Sequence, residues 1–352
     1  MMSFRHHEIL TAPVPMAVVN LVAKINEFKG RQQLYQQQSP QVLDALQQAA
    51  TIESTESSNR IEGIVLPEKN LRQIVANAAK PANRSEGEVA GYRDVLATIH
   101  ASYPHIPLTP NTLLQLHRDL YKYVPSEGGK WKSSDNTIDE VHSDGTHVVR
   151  FRPVSAFDTP RAVAELCEGH SKYSDGQTVS PLLLTGAFVL DFLCIHPFLD
   201  GNGRIARLAT ILLLYQSGYD VGRYISLERI IEQTKESYYD SLSASSEGWH
   251  EGRHSLLPWW EYFLGVTLAA YREFESRAGT VDAGRGAKSA LVRRMVDGFV
   301  GEFTLSELSR ICPHVSRDTV RNVLETLRAE GKVECLGTGR SARWRKTGRS
   351  SR

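Results

Sequence analysis

The stretch HPFLDGNGRIAR, from His196 to Arg207, decides the fold, because it places a base, an acid, two glycines and two arginines within twelve residues. The apolar run from Leu182 to Ile195 predicts a buried helix, which ends at His196 because a proline disfavours helical conformation in the residue before it. The apolar pattern from Ile205 to Leu213 predicts a second helix. We therefore expect two packed helices joined by a glycine turn.

That turn has the features of a phosphate-binding site. The first N–H groups of a helix have no intrahelical partner, and the two glycines have no Cβ to block an anion. Arg204 and Arg207 lie three residues apart on one face, where two guanidinium groups can bind the same anion. Asp200 is placed to hold the Mg²⁺ that a di- or triphosphate carries. The residues alone predict a phosphate site with His196 as a base beside it.

Other patterns compete with this prediction, including the plain one of a capped helix with surface side chains. The spacing GxGxxA at 201 to 206, with Asp220 downstream, also fits a dinucleotide-binding fingerprint, but that fingerprint requires a preceding strand. The run before His196 is too long for a strand. The segment His250 to His254 matches a zinc-protease pattern, which needs a stable helix that Gly252 disfavours. We interpret this second pattern as a chance match.

The same twelve residues resemble the core motif of the Fic family, HxFx(D/E)GNGRxxR, and match it at every defined position. The resemblance implies a mainly α-helical protein: a Fic-type helical domain with a β-hairpin flap. It also implies a nucleotidyltransferase that moves AMP from ATP to a hydroxyl side chain of a protein (AMPylation). The related Doc kinases have a lysine where this chain has Gly203, so the match favours nucleotidyl transfer over phosphorylation.

The resemblance further implies a role for each motif residue. His196 would take the proton from the target hydroxyl, Asp200 would bind Mg²⁺, and Phe198 would anchor the loop in the core. The ATP phosphates would be bound by Gly201, Asn202, Gly203, Arg204 and Arg207, the last at the γ-phosphate. Tyr238 and Tyr239, on the following helix, lie where the family's adenine pocket often closes.

A second motif lies upstream, in the segment Ser58 to Gly63. It predicts the end of a helix, with Glu62 in the last turn and Gly63 as a left-handed stop. A carboxylate there opposes the helix dipole and favours a cationic partner. The segment resembles the inhibitory motif (S/T)xxxE(G/N) of many Fic proteins, carried here by Ser58 and Glu62. This implies that Glu62 pairs with Arg207 and keeps the γ-phosphate of ATP from binding productively.

We predict four regions: an N-terminal helical region (1–110) with the inhibitory helix around 49–64, a catalytic core (111–276), a linker (277–287) and a C-terminal domain (288–352). Within the core, the pattern from Gly128 to Pro153 predicts a β-hairpin that turns at Ser143 to Thr146. The resemblance implies that this flap binds the backbone of the target as an added strand.

The C-terminal domain is basic: from Arg285 onward there are 15 basic and 7 acidic residues, against 26 and 33 in the rest of the chain. Its pattern of three helices and a two-stranded wing resembles the winged-helix family (winged helix-turn-helix). Basic side chains there could bind DNA phosphates, namely Arg317, Arg321 and Arg328 on the third helix and Arg340, Arg343, Arg345 and Lys346 on the wing. A dimer or docking surface is the alternative.

Composition limits the setting and the partners. The four cysteines are scattered, which favours neither a disulfide framework nor a CxxC metal site, and no apolar run approaches the length of a membrane helix. We expect a cytoplasmic protein without a membrane partner, with ATP and Mg²⁺ as ligands. Its partner would be a protein with a Ser, Thr or Tyr hydroxyl, which can be the chain itself.

Two alternatives in function stay open. Glu62 could orient a water and make the chain a hydrolase that removes AMP from proteins. The chain could also be a DNA-binding regulator whose Fic domain senses nucleotide.

Overall fold

A computed structural model describes residues 2–38, 40–76, 79–125, 128–141, 147–278, 287–299, 302–312, 315–337, 339 and 342–347. The chain divides into two compact units: unit 1 consists of residues 1–29 and 50–271, and unit 2 of residues 30–49 and 272–352. The inhibitory segment and the phosphate turn of the sequence analysis therefore belong to the same unit.

The described part of the chain up to residue 278 is mainly helical, as expected. In chain order its elements are α1 (His7–Leu10), α2 (Met16–Gln38), α3 (Pro40–Ile61), α4 (Glu68–Val75), α5 (Arg84–Ser102), α6 (Pro110–Leu120), β1 (Ile138–Val141), β2 (His147–Phe151), α7 (Thr159–Gly176), α8 (Pro181–Ile195), α9 (Asn202–Gln216), α10 (Leu227–Gln233), α11 (Lys235–Ser246) and α12 (Leu257–Ala278). Short 3₁₀ helices cover Ser3–Arg5, Tyr103–His105 and Asp220–Arg223. In this described part, no helix combines the length and the apolar character that a bilayer crossing requires.

Helices α8 and α9 form the centre of unit 1. Helix α8 is apolar on nearly all sides, so it is buried on nearly all sides, and Phe188 and Phe192 are fully enclosed. Gly186 permits the close approach of α12: a Cβ there would lie 2.9 Å from the ring of Trp260. Because a helix and not a strand precedes the glycine turn, the structure excludes the dinucleotide fingerprint.

Two helical boundaries differ from the sequence pattern. Residues 16–61 form two long helices rather than several short ones. Gly30 is tolerated within α2, and Pro40 occupies the first turn of α3, where a backbone N–H would have no acceptor within the helix. The segment after the motif, which the sequence suggests is one helix from Leu227 to Leu242, is broken between α10 and α11 at Thr234. Thr234 is the C-terminal cap of α10, and its backbone N–H donates to the Ile230 carbonyl at 3.1 Å.

The flap is present as the antiparallel pair β1 and β2, with Asp139 opposite Val149 and an irregular register beside Ile138. Its predicted turn, Ser143 to Thr146, lies outside the described residues. Val148 and Val149 are exposed on β2. Exposed β-branched residues on a short strand are suited to contact an added chain.

Unit 2 contains α13 (Ala287–Gly298), β3 (Glu302–Thr304), α14 (Leu305–Ile311), α15 (Arg317–Ala329), β4 (Val333–Leu336) and β5 (Arg343–Lys346). The strands form one antiparallel sheet in the order β3, β5, β4. Thr304 and Glu307 form a capping box at the start of α14, and Ser316 caps α15. Arg340 and most of the predicted linker lie outside the described residues.

Candidate functional site

His196 ends α8 in the left-handed conformation, with φ 50° and ψ 62°. This conformation costs a non-glycine residue about 1–2 kcal/mol, so the surrounding loop must hold it. The ring Nδ1–H donates to the Leu193 carbonyl at 3.3 Å, which leaves the lone pair on Nε2. Burial, with a smaller contribution from the charge of Lys132, lowers the pKa of His196 to about 4. His196 is therefore neutral near pH 7, as a base must be.

The loop after His196 is held by Phe198 and Asn202. The buried Phe198 ring stacks on His117 with centroids 3.8 Å apart. The Asn202 side chain accepts from the Phe198 N–H at 2.9 Å and donates to the Phe198 carbonyl at 2.7 Å. The Asn202 amide group is thus committed to the loop, and any contact of this residue with a phosphate would have to come from its backbone N–H.

The glycine turn starts α9. Gly201 has φ 81°, and a Cβ on it would lie 3.0 Å from the Tyr121 hydroxyl, so only glycine fits without strain. The first bond of α9 runs from the Ile205 N–H to the Gly201 carbonyl at 2.9 Å. The N–H groups of the first turn therefore lack intrahelical acceptors and form the positive end of the helix dipole.

Asp200 is suited to hold Mg²⁺. Burial opposes its ionisation, but Arg204, the Tyr121 hydroxyl, the Gly201 N–H and Arg84 outweigh burial and lower the pKa of Asp200. Its ionised carboxylate is 59% exposed beside the turn. Among the described residues, no group of three or more His, Cys, Asp or Glu could hold a metal alone. A single carboxylate is sufficient for Mg²⁺, which takes its other ligands from phosphate and water.

Arg204 is oriented away from the open side of the turn. It is 1% exposed, donates to Glu88 on α5 at 2.5 Å and donates to the Tyr121 hydroxyl at 2.8 Å. Its Nη2 also lies 3.6 Å from Asp200 Oδ1. In this arrangement Arg204 supports the Asp200 carboxylate, and its predicted contact with the ATP phosphates would require a different orientation.

Arg207 contacts both residues of the predicted inhibitory motif. Its Nε donates to the Ser58 hydroxyl at 2.8 Å, and its Nη2 donates to the Ser58 carbonyl at 2.9 Å and to Glu62 Oε1 at 2.7 Å. Helix α3 ends at Ile61, and Gly63 has φ 80°, as the sequence predicts. Burial opposes the charge of Arg207, but Glu62 outweighs burial and raises the pKa of the guanidinium.

Gly203 provides the space for Glu62. A Cβ on Gly203 would lie 2.3 Å from Glu62 Oε1 and 3.1 Å from Arg207 Nη1. The carboxylate therefore lies directly against the glycine turn. A carboxylate and a phosphate are both anions that a guanidinium can bind, and in this structure Glu62 occupies that position on Arg207.

A narrow apolar cavity adjoins Arg207. It is lined by residues of α8, α9, α10, α11 and α12, among them Val189, Ile211, Leu227, Tyr238, Trp259 and Phe263. Tyr238 is buried and packs on Trp259 with ring centroids 5.7 Å apart, whereas Tyr239 is only partly buried. The predicted adenine contact of these two tyrosines stays a prediction.

The zinc-protease pattern has no structural support in the described residues. Helix α12 begins only at Leu257, so the segment His250 to His254 is not helical. His250 Nε2 lies 2.7 Å from the Arg152 carbonyl, and His254 Nε2 lies 2.9 Å from the Ser3 hydroxyl. The two rings are thus bound to different partners.

Two residues outside the motif support the site, and the sequence analysis assigned neither of them to it. His117 accepts the Gly129 N–H on Nδ1 at 2.9 Å, so Nε2–H donates to the Asp200 carbonyl at 3.1 Å. Lys132 is 3% exposed and hydrogen-bonds to the residues on either side of His196. Neither residue belongs to a recognisable motif. A buried lysine cannot be distinguished from a surface lysine in a polar loop by its sequence.

Comparison with known proteins agrees with the site geometry. Residues 107–214 match the Fic/DOC family. The chain is 28% identical over 193 residues to a protein adenylyltransferase from Drosophila yakuba. The matched region covers 53% of this chain and 36% of that protein. It is also 25% identical over 193 residues to a protein adenylyltransferase from Caenorhabditis elegans, and this match covers 53% of this chain and 32% of that protein. The chain thus spans about a third of the length of these relatives.

A solved structure resembles the fold over nearly the whole chain. A Fic family protein from Desulfovibrio desulfuricans superposes with a TM-score of 0.60 at 24% identity. The match covers 97% of this chain and 98% of that chain. At this identity the likeness supports the fold alone.

Proposed function

We propose that this chain, whose residues 107–214 match the Fic/DOC family, is a protein adenylyltransferase that transfers AMP from ATP to a Ser, Thr or Tyr hydroxyl of a protein. One observation carries the proposal: the neutral His196, with its lone pair on Nε2, is joined by the five residues 197–201 to the N-terminus of α9. A base and a phosphate-binding turn are the two parts that this transfer needs.

The reaction follows from these parts. The hydroxyl of the target gives its proton to Nε2 of His196 while its oxygen forms a bond to the α-phosphorus of ATP. The bond from that phosphorus to the bridging oxygen of the β-phosphate breaks, and pyrophosphate leaves. The N–H groups of the first turn of α9 stabilise the negative charge on the phosphates. The base contributes roughly 10²–10⁴-fold to the rate.

The Mg²⁺ site would be formed by Asp200, whose half-exposed carboxylate fits a cation that also binds phosphate oxygens. When bound, Mg²⁺ would neutralise phosphate charge and orient the phosphates. His117, through the Asp200 carbonyl, and Arg204, through the Asp200 carboxylate, would keep Asp200 in place.

Glu62 would act as an internal brake. Its ion pair with Arg207 holds the arginine that is expected to bind the γ-phosphate. Ser58 fixes the same guanidinium through its hydroxyl and its carbonyl. ATP would then bind productively only when α3 or Glu62 moves away.

Removal of AMP is a second candidate, favoured by the position of Glu62 against Gly203. A carboxylate beside the phosphate turn could orient a water toward a phosphoryl group. A protein already labelled with AMP, incubated with the wild type and with Glu62→Gln, distinguishes the candidates. Hydrolysis that requires Glu62 would support AMP removal.

For unit 2 we propose a winged-helix domain that binds DNA, on the basis of its helices, its sheet order and its basic residues. Several of these basic residues pair with acids: Arg345 lies 2.6 Å from Glu334 and Arg343 lies 3.4 Å from Glu302. Binding to phosphates would have to compete with these exposed ion pairs, which are worth little.

The test of the main proposal is mass spectrometry of the full chain after incubation with ATP and Mg²⁺. We expect an AMP adduct on Glu62→Gly and none on a Glu62→Gly, His196→Ala double variant. An acceptor protein is added in parallel, because the chain need not modify itself. AMP transfer that survives loss of His196 would contradict the assigned base.

A further inference from the structure

One side chain outside the Fic motif binds the backbone on both sides of His196. The Lys132 ammonium donates to the carbonyl of Ile195 at 3.2 Å. The Lys132 backbone N–H donates to the carbonyl of Pro197 at 2.9 Å. The residue before the base and the residue after it are therefore both tied to a single residue.

The rest of the same loop continues this contact. The Lys132 ammonium also donates to Asn136 Oδ1 at 2.9 Å, and Asn136 Nδ2 donates to the carbonyl of Phe198 at 3.2 Å. Lys132 is almost fully buried, which is unusual for a lysine unless its charge is well hydrogen-bonded. The hydrogen bonds of its ammonium to Ile195 and Asn136 supply the partners that a buried charge needs.

His196 needs such support, because its left-handed backbone is unfavourable for a residue with a Cβ. The groups around its ring also carry charge. Burial is the largest cause of the low pKa of His196, Lys132 lowers that pKa further, and Glu62 and Asp200 raise it. Among these charged groups, Lys132 carries the positive charge and Glu62 and Asp200 carry negative charge.

We propose that Lys132 is a positioning residue for His196: it holds the base in its left-handed conformation through the two flanking carbonyls. Its positive charge near the ring also opposes protonation of His196. The inference rests on the proposed function only in that His196 is taken as the base. A lysine that merely stabilised the loop would affect folding but would change neither the titration of His196 nor the ratio of kcat to KM.

The first test needs no activity. Histidine ring signals of the full chain are titrated by NMR in the wild type and in Lys132→Met, with His196→Gln to assign the signal. We expect the pKa of His196 to rise from about 4 toward the ordinary value of 6.5 in Lys132→Met. Lys130→Met, an exposed lysine of the same loop, is the matched control and should leave the titration unchanged. An unchanged His196 titration in folded Lys132→Met would overturn the inference.

The second test uses AMP transfer in the Glu62→Gly background. Lys132→Met should lower kcat about tenfold or more and change the KM for ATP by less than about twofold, because the base moves while the phosphate turn stays. Lys132→Arg, which keeps the charge and the donors, should recover part of kcat. If Lys132→Met does not fold, Lys132→Gln takes its place in both tests. Equal kcat in the folded variant and its parent would contradict the inference.

The two tests separate the possible failures. If Glu62→Gly transfers no AMP to any acceptor, the proposed function fails, and the titration still decides whether Lys132 controls His196. If transfer occurs but the titration and kcat do not depend on Lys132, only the present inference fails.

Discussion

Replacing Glu62 is expected to increase the affinity of the chain for ATP. In the structure Glu62 Oε1 accepts from the buried Arg207 at 2.7 Å, and ATP must break this contact to bring its γ-phosphate to Arg207. A hydrogen bond between charged groups contributes about 1.5–3 kcal/mol, and the 31% exposure of Glu62 favours the lower part of that range. Since about 1.4 kcal/mol is a factor of ten, we expect ATP to bind roughly 10- to 100-fold more tightly to Glu62→Gly.

The assay is isothermal titration calorimetry with ATP and Mg²⁺ in a His196→Ala background, which prevents turnover. Glu56→Gln is the matched control, because Glu56 lies on α3, which ends one residue before Glu62, and forms an ion pair with Arg60 instead of Arg207. The control should leave ATP affinity unchanged within about twofold. Equal affinity of Glu62→Gly and its parent would refute the argument that Glu62 competes with the γ-phosphate.

Three further predictions concern stability and unit 2. Asn202→Ala should lower the free energy of unfolding, measured by urea titration, by about 2–4 kcal/mol, because the buried N–H and carbonyl of Phe198 lose their partner. A loss below about 1 kcal/mol would contradict this account of the loop. Burial raises the pKa of Asp191 to about 6, so this group stabilises the fold at low pH and its contribution falls as the pH rises from about 4 to 6. The free energy of unfolding is measured by urea titration at about pH 4 and about pH 6, and Asp191→Asn should reduce the difference between the two values by about 1–3 kcal/mol. The same difference in the wild type and the variant would contradict the assignment. If unit 2 binds DNA, the affinity of the full chain for a DNA duplex should fall steeply between about 50 and 200 mM salt. Arg317→Ala should reduce the slope of log affinity against log salt concentration by about one. No binding at the lowest salt concentration would exclude the role.

The sequence predicts the centre of the fold and the contact between Glu62 and Arg207. The lengths of the apolar runs identify α8 and α9, and Pro197 sets the end of the first. The Ser58 to Gly63 segment forms the predicted helix end, and Glu62 and Arg207 are in contact although 145 residues apart. Local pattern and the family motif are together sufficient for these features, because each depends on a few residues of fixed spacing.

The orientation of the arginine and asparagine side chains could not be predicted. Arg204 and Arg207 are three residues apart on one helix, yet the structure directs Arg204 to Glu88 and Arg207 to Glu62. Asn202 belongs to the motif but its side chain binds the Phe198 backbone. These choices depend on which acids α3 and α5 bring to the turn, and that information is tertiary.

The burial of the Lys132 charge also could not be predicted from the sequence. In the sequence it follows Trp131 in a polar loop and resembles many exposed lysines. Only the packed structure shows that its ammonium is buried against the carbonyl of Ile195. Burial and partner geometry, which determine the pKa of both Lys132 and His196, are set by contacts between distant parts of the chain.

The measurement that tests the central claim most directly is transfer of label from ATP carrying a radioactive α- or γ-phosphate. Glu62→Gly is incubated with each nucleotide, Mg²⁺ and acceptor proteins, beside the double variant that also carries His196→Ala. We expect the α-label on protein, no γ-label on protein, and neither label with the double variant. Transfer of the γ-label, or transfer of the α-label without His196, would contradict AMP transfer by this base.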